Sequence, residues 1–395
     1  ESKSKNNVHF SQPNHTCLIF IKRSTMMKSV VLALALFASS VSAVAPHHED
    51  LENYSFAQYM KDFQKSYSKS ELLEREQIFI QKRDAIIAHN KLESTWTENV
   101  NDLTDMSPAE REARRGIDKS MMFQSRKALT GRKPKPPRTD LPDSVDWRDQ
   151  GVVTSIKNQG GCGSCWTFSA TEALESHIAI ETGLLFELSE QEFASCVENP
   201  HQCGGTGGCE GATMELAYQY AIDNGLVTEW TTPYISYYGE DFDCSLTADS
   251  PARVATITGY TTITSNSYDE LMEAVATVGP IGLTVDASQW SGYSGGVFDG
   301  CNQENPDLDH GVLLVGYGTD SDLGDYWLVR NSWGPAWGEK GYIRIARTAD
   351  EASRCGVDVN PSDGIGCVGG PSNVTVCGTC GILYDNSYPT GGALV

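Results

Sequence analysis

The residues with the clearest capacity for chemistry lie in the segment Asn158-Gln159-Gly160-Gly161-Cys162-Gly163-Ser164-Cys165-Trp166. A glycine-rich turn precedes Cys165 and an amphipathic run follows it, which predicts that a helix begins at this cysteine. At a helix N-terminus, free backbone N–H groups and the helix dipole favour a thiolate over a thiol. A thiolate is the nucleophilic form of cysteine, so Cys165 is a candidate nucleophile. The motif alone also fits a disulfide or a redox Cys-x-x-Cys pair.

An export signal is predicted near the amino terminus. Residues 26–43 combine Lys28, an apolar run over 30–38 and the small-residue end Val41-Ser42-Ala43, as secretory signal peptides do. That run is too short to span a bilayer and no later segment is apolar enough, so no stable membrane insertion is expected. We therefore predict delivery to a lysosome or vacuole, or secretion. Residues 1–25 are interpreted as an upstream extension outside the fold.

Charge and cysteine content narrow the class of protein. The net charge is −22; residues 1–140 hold 22 Lys and Arg against 17 Asp and Glu, and the rest of the chain holds 8 against 35. So acidic a C-terminal part argues against binding to nucleic acid, and it fits either plain solubility or work in an acidic compartment. Eleven of the twelve cysteines follow residue 141. Because eleven is odd, disulfide pairing in an exported protein would leave one free thiol.

Composition divides the chain into three parts. Residues 53–115 lack glycine and cysteine and predict a helical region, whereas the basic, proline-bearing residues 116–140 predict an exposed, cleavable linker. After residue 141 the predicted elements are short, with helices first and mostly strands after about residue 252, which indicates two lobes with a cleft between them. The predicted helices are 165–182, one begun by the capping box at Ser189, 214–223 and one begun by the capping box at Ser267. The predicted strands are 255–264, 281–287, 310–318, 326–331 and 342–346.

A cysteine nucleophile needs a base, and three histidines follow residue 141. His177 lies twelve residues along the predicted helix from Cys165, too far to reach its thiol. His201 falls in a loop rich in cysteine and glycine. His310 opens a predicted strand, where its side chain could face the cleft. A lone histidine is more often structural, but the expected free thiol favours a catalytic role for His310.

With these residues in place, the sequence resembles the papain family of cysteine peptidases, near its cathepsin L branch, over about residues 53–390. The Cys-Gly-Ser-Cys-Trp run with a distant histidine and asparagine is the mark of that family. The resemblance implies an α+β fold with a helical left lobe, about 141–252, and a β-barrel-like right lobe, about 253–395. An inhibitory pro-segment with its linker, 44–140, would precede this mature peptidase.

The resemblance also assigns roles at the site. It implies that Cys165 is the nucleophile, that His310 is the general base and acid, and that Asn331 orients the imidazole. Gln159 would supply the side-chain donor of the oxyanion hole, where one lost donor typically costs about 2.7–4 kcal/mol. Trp333 would shield the bond between His310 and Asn331 from water, or it is an ordinary core aromatic.

The upstream region supports the same resemblance. Five residues match the ERFNIN pattern of the family's pro-segment, with Lys82 where that pattern has its first asparagine: Glu71, Arg75, Phe79, Ile86 and Asn90. In this family the pro-segment runs through the cleft backwards and is removed on activation.

Several substrate-binding residues follow from the resemblance. Gly211 and Ala212 would line the wall where extended substrate pairs, and Asp309 and Trp333 would also be substrate-binding residues. The pocket for the second residue before the scissile bond would be lined by Met214, Thr284, Leu308 and Asp385. A carboxylate at Asp385 could bind a basic side chain, giving a dual preference for bulky apolar and basic residues, or it could turn to solvent.

The cysteines other than Cys165 can be partly paired from the resemblance, which implies Cys162–Cys209, Cys196–Cys244 and Cys301–Cys380. Four lie in apparent insertions at residues 197–208 and about 354–379, and their pairing stays open: Cys203, Cys355, Cys367 and Cys377. A metal knuckle using Cys377 and Cys380 is an alternative that an oxidising compartment disfavours. Asn53 and Asn373 lie in glycosylation sequons.

The sequence therefore predicts a monomeric cysteine endopeptidase made as a zymogen, acting on proteins and peptides through a thioester at Cys165. No cofactor, metal or nucleic acid is expected. The lack of an obvious insertion with paired histidines favours internal cleavage over exopeptidase action. Two other functions stay open: a catalytically silent homologue that binds or stores ligands, and a chain whose pro-segment alone inhibits peptidases.

Overall fold

The computed structural model describes residues 48–115, 140–247 and 251–395, which belong to one compact unit. The predicted upstream extension and signal peptide, and most of the predicted linker, lie outside the described residues. Within the described ranges, no helix is long and apolar enough to cross a membrane. The α-helices described are α1 Phe56–Asp62, α2 Leu72–His89, α3 Pro108–Ala113, α4 Cys165–Thr182, α5 Glu190–Cys196, α6 Met214–Asn224 and α7 Tyr268–Thr277.

The strands are short except in the centre of the sheet, where β7 is eleven residues long. Their bounds are β1 Trp96–Glu98, β2 Val145–Asp146, β3 Ala255–Thr256, β4 Gly259–Thr262, β5 Ile281–Val285, β6 Tyr293–Phe298, β7 His310–Asp320, β8 Gly324–Arg330, β9 Tyr342–Ala346, β10 Cys355–Asp358, β11 Val374–Cys377, β12 Asp385–Thr390 and β13 Ala393–Leu394.

Residues 48–115, the N-terminal segment, have a small core of their own. Phe79 and Ile86 lie on the inward face of α2 and pack against aromatic side chains such as Tyr59. Arg75 donates both terminal nitrogens to the Glu110 carboxylate, each at 2.5 Å, which ties α2 to α3. Asn90 holds Glu98 of β1 through two backbone hydrogen bonds of 2.7 and 2.9 Å. The pattern residues of this segment therefore fix its internal packing.

The helix that begins at Cys165 is buried along most of its length. Trp166, Ala170, Leu174 and Ile178 of α4 share a core with α5 and α6. Ser189 caps α5 by accepting a hydrogen bond from Glu192 N at 3.0 Å, as its sequence predicts. This helical part packs on one face of the sheet through β7 and β8.

The main sheet of the described residues contains nine strands in the order β1-β6-β9-β8-β7-β5-β12-β4, with β2 paired beside β7. Pairing is antiparallel except between β6 and β9. Successive residues of β7 alternate between two cores: Leu313 and Val315 face α4, whereas Val312 and Leu314 face the opposite cluster, which includes α7. A strand buried on both faces explains the continuous apolar run at 312–315.

The α+β fold predicted from the resemblance is confirmed, and its β-rich right lobe is not a closed barrel in the part of the chain that the structure describes. Within the described residues the sheet is open, because its end strands β1 and β4 each pair with only one neighbour. The predicted strand at 255–264 is two short strands, β3 and β4, that belong to different sheets. Strands β6 and β12 were not predicted, since Gly295, Gly296 and Pro389 make their sequences resemble loops.

Candidate active site

Cys165 stands at the first turn of α4, and it is the free cysteine among the described residues. Strand β7 approaches this helix end closely: a Cβ atom on Gly311 would lie 3.2 Å from the Trp166 backbone and 3.3 Å from that of Cys165. A side chain at position 311 would therefore have to push these backbone atoms away by a few tenths of an ångström. Backbone N–H groups of Gly311, Trp166 and Cys165 face the sulfur and favour its anion.

His310 precedes that glycine and forms a pair with Asn331. The two side chains come together because β7 and β8 are neighbours, and His310 Nε2 lies 2.8 Å from Asn331 Oδ1. Both residues are fully buried. The Trp333 ring covers the imidazole with a centroid distance of 4.8 Å. The other ring nitrogen, Nδ1, has no hydrogen-bond partner in the part of the chain that the structure describes, so it is the nitrogen left to exchange a proton.

Gln159 is held rigidly beside the cysteine. Its Oε1 accepts a hydrogen bond from Ser332 Oγ at 2.6 Å, and its Nε2 donates to the carbonyls of Cys162 and Arg114 at 2.8 and 2.6 Å. One of these acceptors, Arg114, belongs to the N-terminal segment. A peptide carbonyl is therefore bound at the amide donor that the sequence assigns to an oxyanion hole.

The end of the N-terminal segment lies directly on this group of residues. The Cys165 thiol donates to the Arg115 carbonyl with an Sγ–O distance of 3.8 Å. Arg115 Nε lies 2.5 Å from Asp309 Oδ2, and the Arg114 guanidinium lies 5.9 Å from the centre of the Trp333 ring. The Arg115 backbone therefore contacts the nucleophile, and the Arg114 and Arg115 side chains contact the neighbouring Trp333 and Asp309.

Burial under the segment changes the protonation of the site. Loss of water raises the pKa of the Cys165 thiol to about 12, despite the nearby N–H groups that lower it. Loss of water also lowers the pKa of His310 to about 3, and the charges of Arg115 and Arg114 act in the same direction. Both shifts favour the neutral forms, so the covered site favours a thiol and an imidazole over an ion pair.

Most of the predicted substrate-binding residues line one small cavity next to Cys165, with room for about one water molecule beside Arg115. Its walls include predicted and unpredicted residues: Arg115, Cys165, Trp166, Gly204, Gly211, Ala212, Met214, Thr284, Asp309, Gly311, Asp363 and Gly364.

Two predicted pocket residues, Leu308 and Asp385, do not line this cavity. Leu308 is fully buried against Ile365 and Val376 of the second insertion. Asp385 lies opposite Thr284 in the sheet and accepts a hydrogen bond from Thr284 Oγ1 at 2.8 Å, which places it behind the wall. With 3 % of its surface exposed, Asp385 does not turn to solvent, so that alternative is wrong.

The histidines that were set aside have other surroundings. His177 is buried in α4 with Nε2 2.8 Å from the Pro280 carbonyl, and burial lowers its pKa to about 4. His201 is exposed in its loop, and its carbonyl accepts a hydrogen bond from Val368. Neither histidine forms part of the group around Cys165. The sequon residues Asn53 and Asn373 are exposed.

Five disulfides connect the described residues. Cys162–Cys209, Cys196–Cys244 and Cys301–Cys380 are the pairs that the resemblance implies. The four cysteines left open pair as Cys203–Cys367 and Cys355–Cys377. The alternative of a metal knuckle at Cys377 and Cys380 is wrong, because each of them is bonded to another cysteine.

Sequence reasoning missed several residues at the site. Arg114 and Arg115 follow the recognised part of the N-terminal segment, and nothing in their local sequence marks them as the residues on the nucleophile. Gly204, Asp363 and Gly364 come from the two insertions. The unassigned cysteines of those insertions were the available signal, but they did not indicate which pairs form.

Comparisons with known proteins agree with this arrangement. Residues 141–365 match the papain family cysteine protease family, and residues 56–110 match the cathepsin propeptide inhibitor domain. The chain is 37% identical over 343 residues to cathepsin L of Sarcophaga peregrina, covering 84% of this chain and 97% of that protein. It is 36% identical over 336 residues to cathepsin L2 of Homo sapiens, covering 82% and 96%.

Among solved structures, the digestive procathepsin L 3 of Tenebrio molitor larval midgut is similar to this chain. Its TM-score is 0.64 at 33% identity, with 85% of this chain and 97% of that chain covered. The fold and the covered thiol define a cysteine peptidase held under an inhibitory segment. The chain belongs to the papain family of cysteine proteases, carries a cathepsin propeptide inhibitor domain, and is a cysteine endopeptidase similar to the cathepsin L proteins.

Proposed function

We propose that this endopeptidase is a zymogen that hydrolyses peptide bonds through a thioester on Cys165, and that the N-terminal segment is its pro-segment. The observation that carries the proposal is the peptide backbone already lying on the nucleophile. Arg115 O is 3.8 Å from the Cys165 sulfur, and Arg114 O is 2.6 Å from Gln159 Nε2. A substrate carbonyl at this place in the cleft would have the Cys165 sulfur and the Gln159 amide donor within reach. No observation favours the silent homologue or a free-standing inhibitor.

The reaction follows from the roles of these groups. The Cys165 sulfur attacks the scissile carbonyl carbon, and the tetrahedral oxyanion accepts hydrogen bonds from Gln159 Nε2 and the Cys165 N–H. His310 passes its proton to the leaving amine as the C–N bond breaks, which leaves a thioester. Water, deprotonated by His310, then hydrolyses the thioester and restores the thiol. Asn331 holds the imidazole without adding a negative charge that would over-stabilise its protonated form.

Activation, in this proposal, is removal of the cover. Mature peptidase would begin near residue 141, after cleavage in the linker at 116–140. Water then reaches Cys165 and His310, and loss of the two arginines removes the positive charges beside the imidazole. Both changes favour the ion pair of thiolate and imidazolium. The proposal also includes export of a monomeric enzyme to a lysosome or vacuole, or its secretion, with glycans on Asn53 and Asn373.

Reactivity of the thiol tests this proposal. In the proform, a thiol with a pKa of about 12 stays protonated from pH 5 to pH 8, so an epoxide that traps active cysteines should not label it. After processing, the same reagent should modify Cys165, located by peptide mapping, and a Cys165→Ala variant should take up none. No adduct on processed protein would support the silent or inhibitor alternative instead.

We further propose that the pocket for the second residue accepts bulky apolar side chains and also basic ones. Ala212, Met214 and Thr284 offer a mostly apolar lining. The Asp385 carboxylate lies behind Thr284, bonded to its hydroxyl. A long basic side chain that reaches past Thr284 would add a charged partner to this carboxylate.

Dipeptide fluorogenic amides test the pocket. Processed wild-type enzyme is expected to cleave both Phe-Arg and Arg-Arg amides. Asp385→Asn keeps the size of the side chain but removes its charge, so it should lower kcat/KM for Arg-Arg by about tenfold or more while Phe-Arg changes little. Failure of the wild type to cleave Arg-Arg would sink the proposal for basic residues.

A further inference from the structure

A groove lies in the helical part of the molecule, away from the group around Cys165. It has a volume of about 240 Å³ and lies between α5 and the loop that follows α6. The Cys196–Cys244 disulfide joins these two walls. This concavity is here called the lateral groove, and the argument below uses six of its lining residues: Glu192, Pro233, Ile235, Phe242, Asp243 and Leu246.

Apolar side chains of the lateral groove are exposed to solvent. Ile235 is 52% exposed and Phe242 is 38% exposed, and Pro233 and Leu246 add apolar surface. Trp230, in the same loop, is 94% exposed. Exposed apolar side chains that lie together are typical of a binding surface. The volume is below the about 300–1,000 Å³ of sites for small molecules, so the groove suits one bulky apolar side chain rather than a whole organic ligand.

The charge of this loop favours a cationic partner. Residues 225–252 contain five carboxylates and no lysine, arginine or histidine. The next residue, Arg253, donates to the buried Glu192 at 2.7 Å, so its charge is directed to the inner wall. Asp243 is exposed at the rim. Such a rim attracts basic chains and repels acidic ones, and the exposed Trp230 ring can also bind a lysine or arginine through its π face.

The loop that carries the lateral groove packs directly on the turn that precedes Cys165. The Tyr237 carbonyl accepts a hydrogen bond from Gly161 N at 2.7 Å, and the Tyr234 hydroxyl donates to the Gln159 carbonyl at 2.9 Å. The groove and the active site are therefore built on adjoining segments. Because a protein substrate extends well beyond its scissile bond, one chain can contact both places.

We propose that the lateral groove docks a segment of protein substrates in which one bulky apolar side chain is flanked by lysine or arginine. The apolar side chain lies between Ile235 and Phe242, and the flanking cations lie near Asp243 and the other carboxylates of the loop. Docking at this second place raises the effective concentration of the chain at Cys165 without a new contact in the cleft. This inference rests on the proposed hydrolysis at Cys165.

Binding to processed enzyme whose Cys165 already carries the epoxide tests the groove while the reactive part of the cleft is occupied. The probes are three fluorescein-labelled peptides: Gly-Lys-Phe-Arg-Gly, Gly-Gln-Phe-Gln-Gly and Gly-Lys-Gly-Arg-Gly. In fluorescence polarisation the first should bind about tenfold or more tightly than either of the others, and added salt should weaken it. Equal binding of the three would overturn the inference. Dimerisation of the blocked enzyme that Phe242→Ala abolishes would assign the groove to a second copy instead.

Two substitutions in the groove have matched controls elsewhere. Phe242→Ala and Asp243→Asn are expected to weaken binding of Gly-Lys-Phe-Arg-Gly by about fivefold and about threefold. Leu184→Ala and Asp322→Asn also remove an exposed apolar side chain and an exposed carboxylate, and they should leave the affinity unchanged. An unaffected affinity in folded, epoxide-reactive groove variants would contradict the inference. If neither groove variant folds, the wild-type peptide series still decides.

Hydrolysis of two unfolded proteins tests the consequence for activity. The substrates are reduced and alkylated lysozyme, which is basic, and casein, which is acidic. Phe242→Ala should raise KM for the basic protein by about threefold or more with kcat unchanged, as expected for the loss of binding alone. Values for casein and for the Phe-Arg amide should stay within about twofold. An equal change for both proteins would contradict the docking of basic segments, whereas failure of the wild type to cleave the amide would contradict the proposed function itself.

Discussion

Replacement of His310 with alanine is expected to lower kcat/KM for dipeptide amides by about 10⁴-fold or more, because it removes both the base and the acid of the reaction. The thiol should also lose the stabilisation of its anion. An ordinary cysteine with a pKa of about 8.5 is only ~0.3% thiolate at pH 6. Alkylation of the processed variant at pH 6 should therefore be far slower than that of the wild type, and should rise tenfold per pH unit up to about pH 8.

His177→Gln is the matched control for this experiment. That histidine is also buried, but its hydrogen-bond partner is the Pro280 carbonyl and not the cysteine. The control is expected to change stability while kcat/KM of the folded fraction stays within about fivefold of the wild type. Retention of a tenth of the activity by His310→Ala would show that another group acts as the base.

Gln159→Ala is expected to lower kcat by about 10²–10³-fold, which corresponds to roughly 2.7–4 kcal/mol of lost oxyanion stabilisation. The KM should change little, since the donor acts mainly on charge that develops in the transition state. The structural basis is the short Nε2 contact to Arg114 O, 2.6 Å, where the segment's carbonyl stands in for a substrate's. Steady-state kinetics on the Phe-Arg amide measure both constants.

Ser332→Ala separates the donor from its support. Ser332 Oγ holds Gln159 Oε1 at 2.6 Å, so its removal loosens the side chain but leaves the Nε2 donor in place. A loss of less than about tenfold in kcat is expected. If Gln159→Ala instead raised KM with kcat unchanged, Gln159 would be a binding residue and the assignment to an oxyanion hole would be wrong.

The parts of the site that the sequence could predict are those fixed by local pattern. The start of α4 at Cys165 follows from the glycine turn and the apolar run behind it, and its end at Gly183 from the helix-stopping residue. The strand that begins at His310 follows from its apolar run, because burial on both faces leaves few polar residues in it. These signals lie within a few residues of the elements they predict.

The remainder depends on contacts between residues far apart in the sequence. Cys203 and Cys367 are separated by 164 positions, so their pairing depends on how both insertions fold, and four cysteines allow three pairings. The displacement of Leu308 from the cavity has the same origin, since Ile365 of the insertion packs over it. The sheet is open because of which strands pair with one another, and the hydrophobic periodicity of a single strand contains no information about its partners.

Strand β1 of the N-terminal segment pairs with β6, and their partner residues lie about 200 positions apart. At a synthesis rate of ~5–20 residues per second, β6 leaves the ribosome roughly 10–40 s after β1. During that interval the segment is held together only by contacts within itself: the aromatic core built on Phe79 and Tyr59, and the side-chain bonds of Arg75 and Asn90. Residues 48–115 can therefore fold before β6 is made. Their strand β1 then provides an edge with which β6 pairs when the main sheet forms.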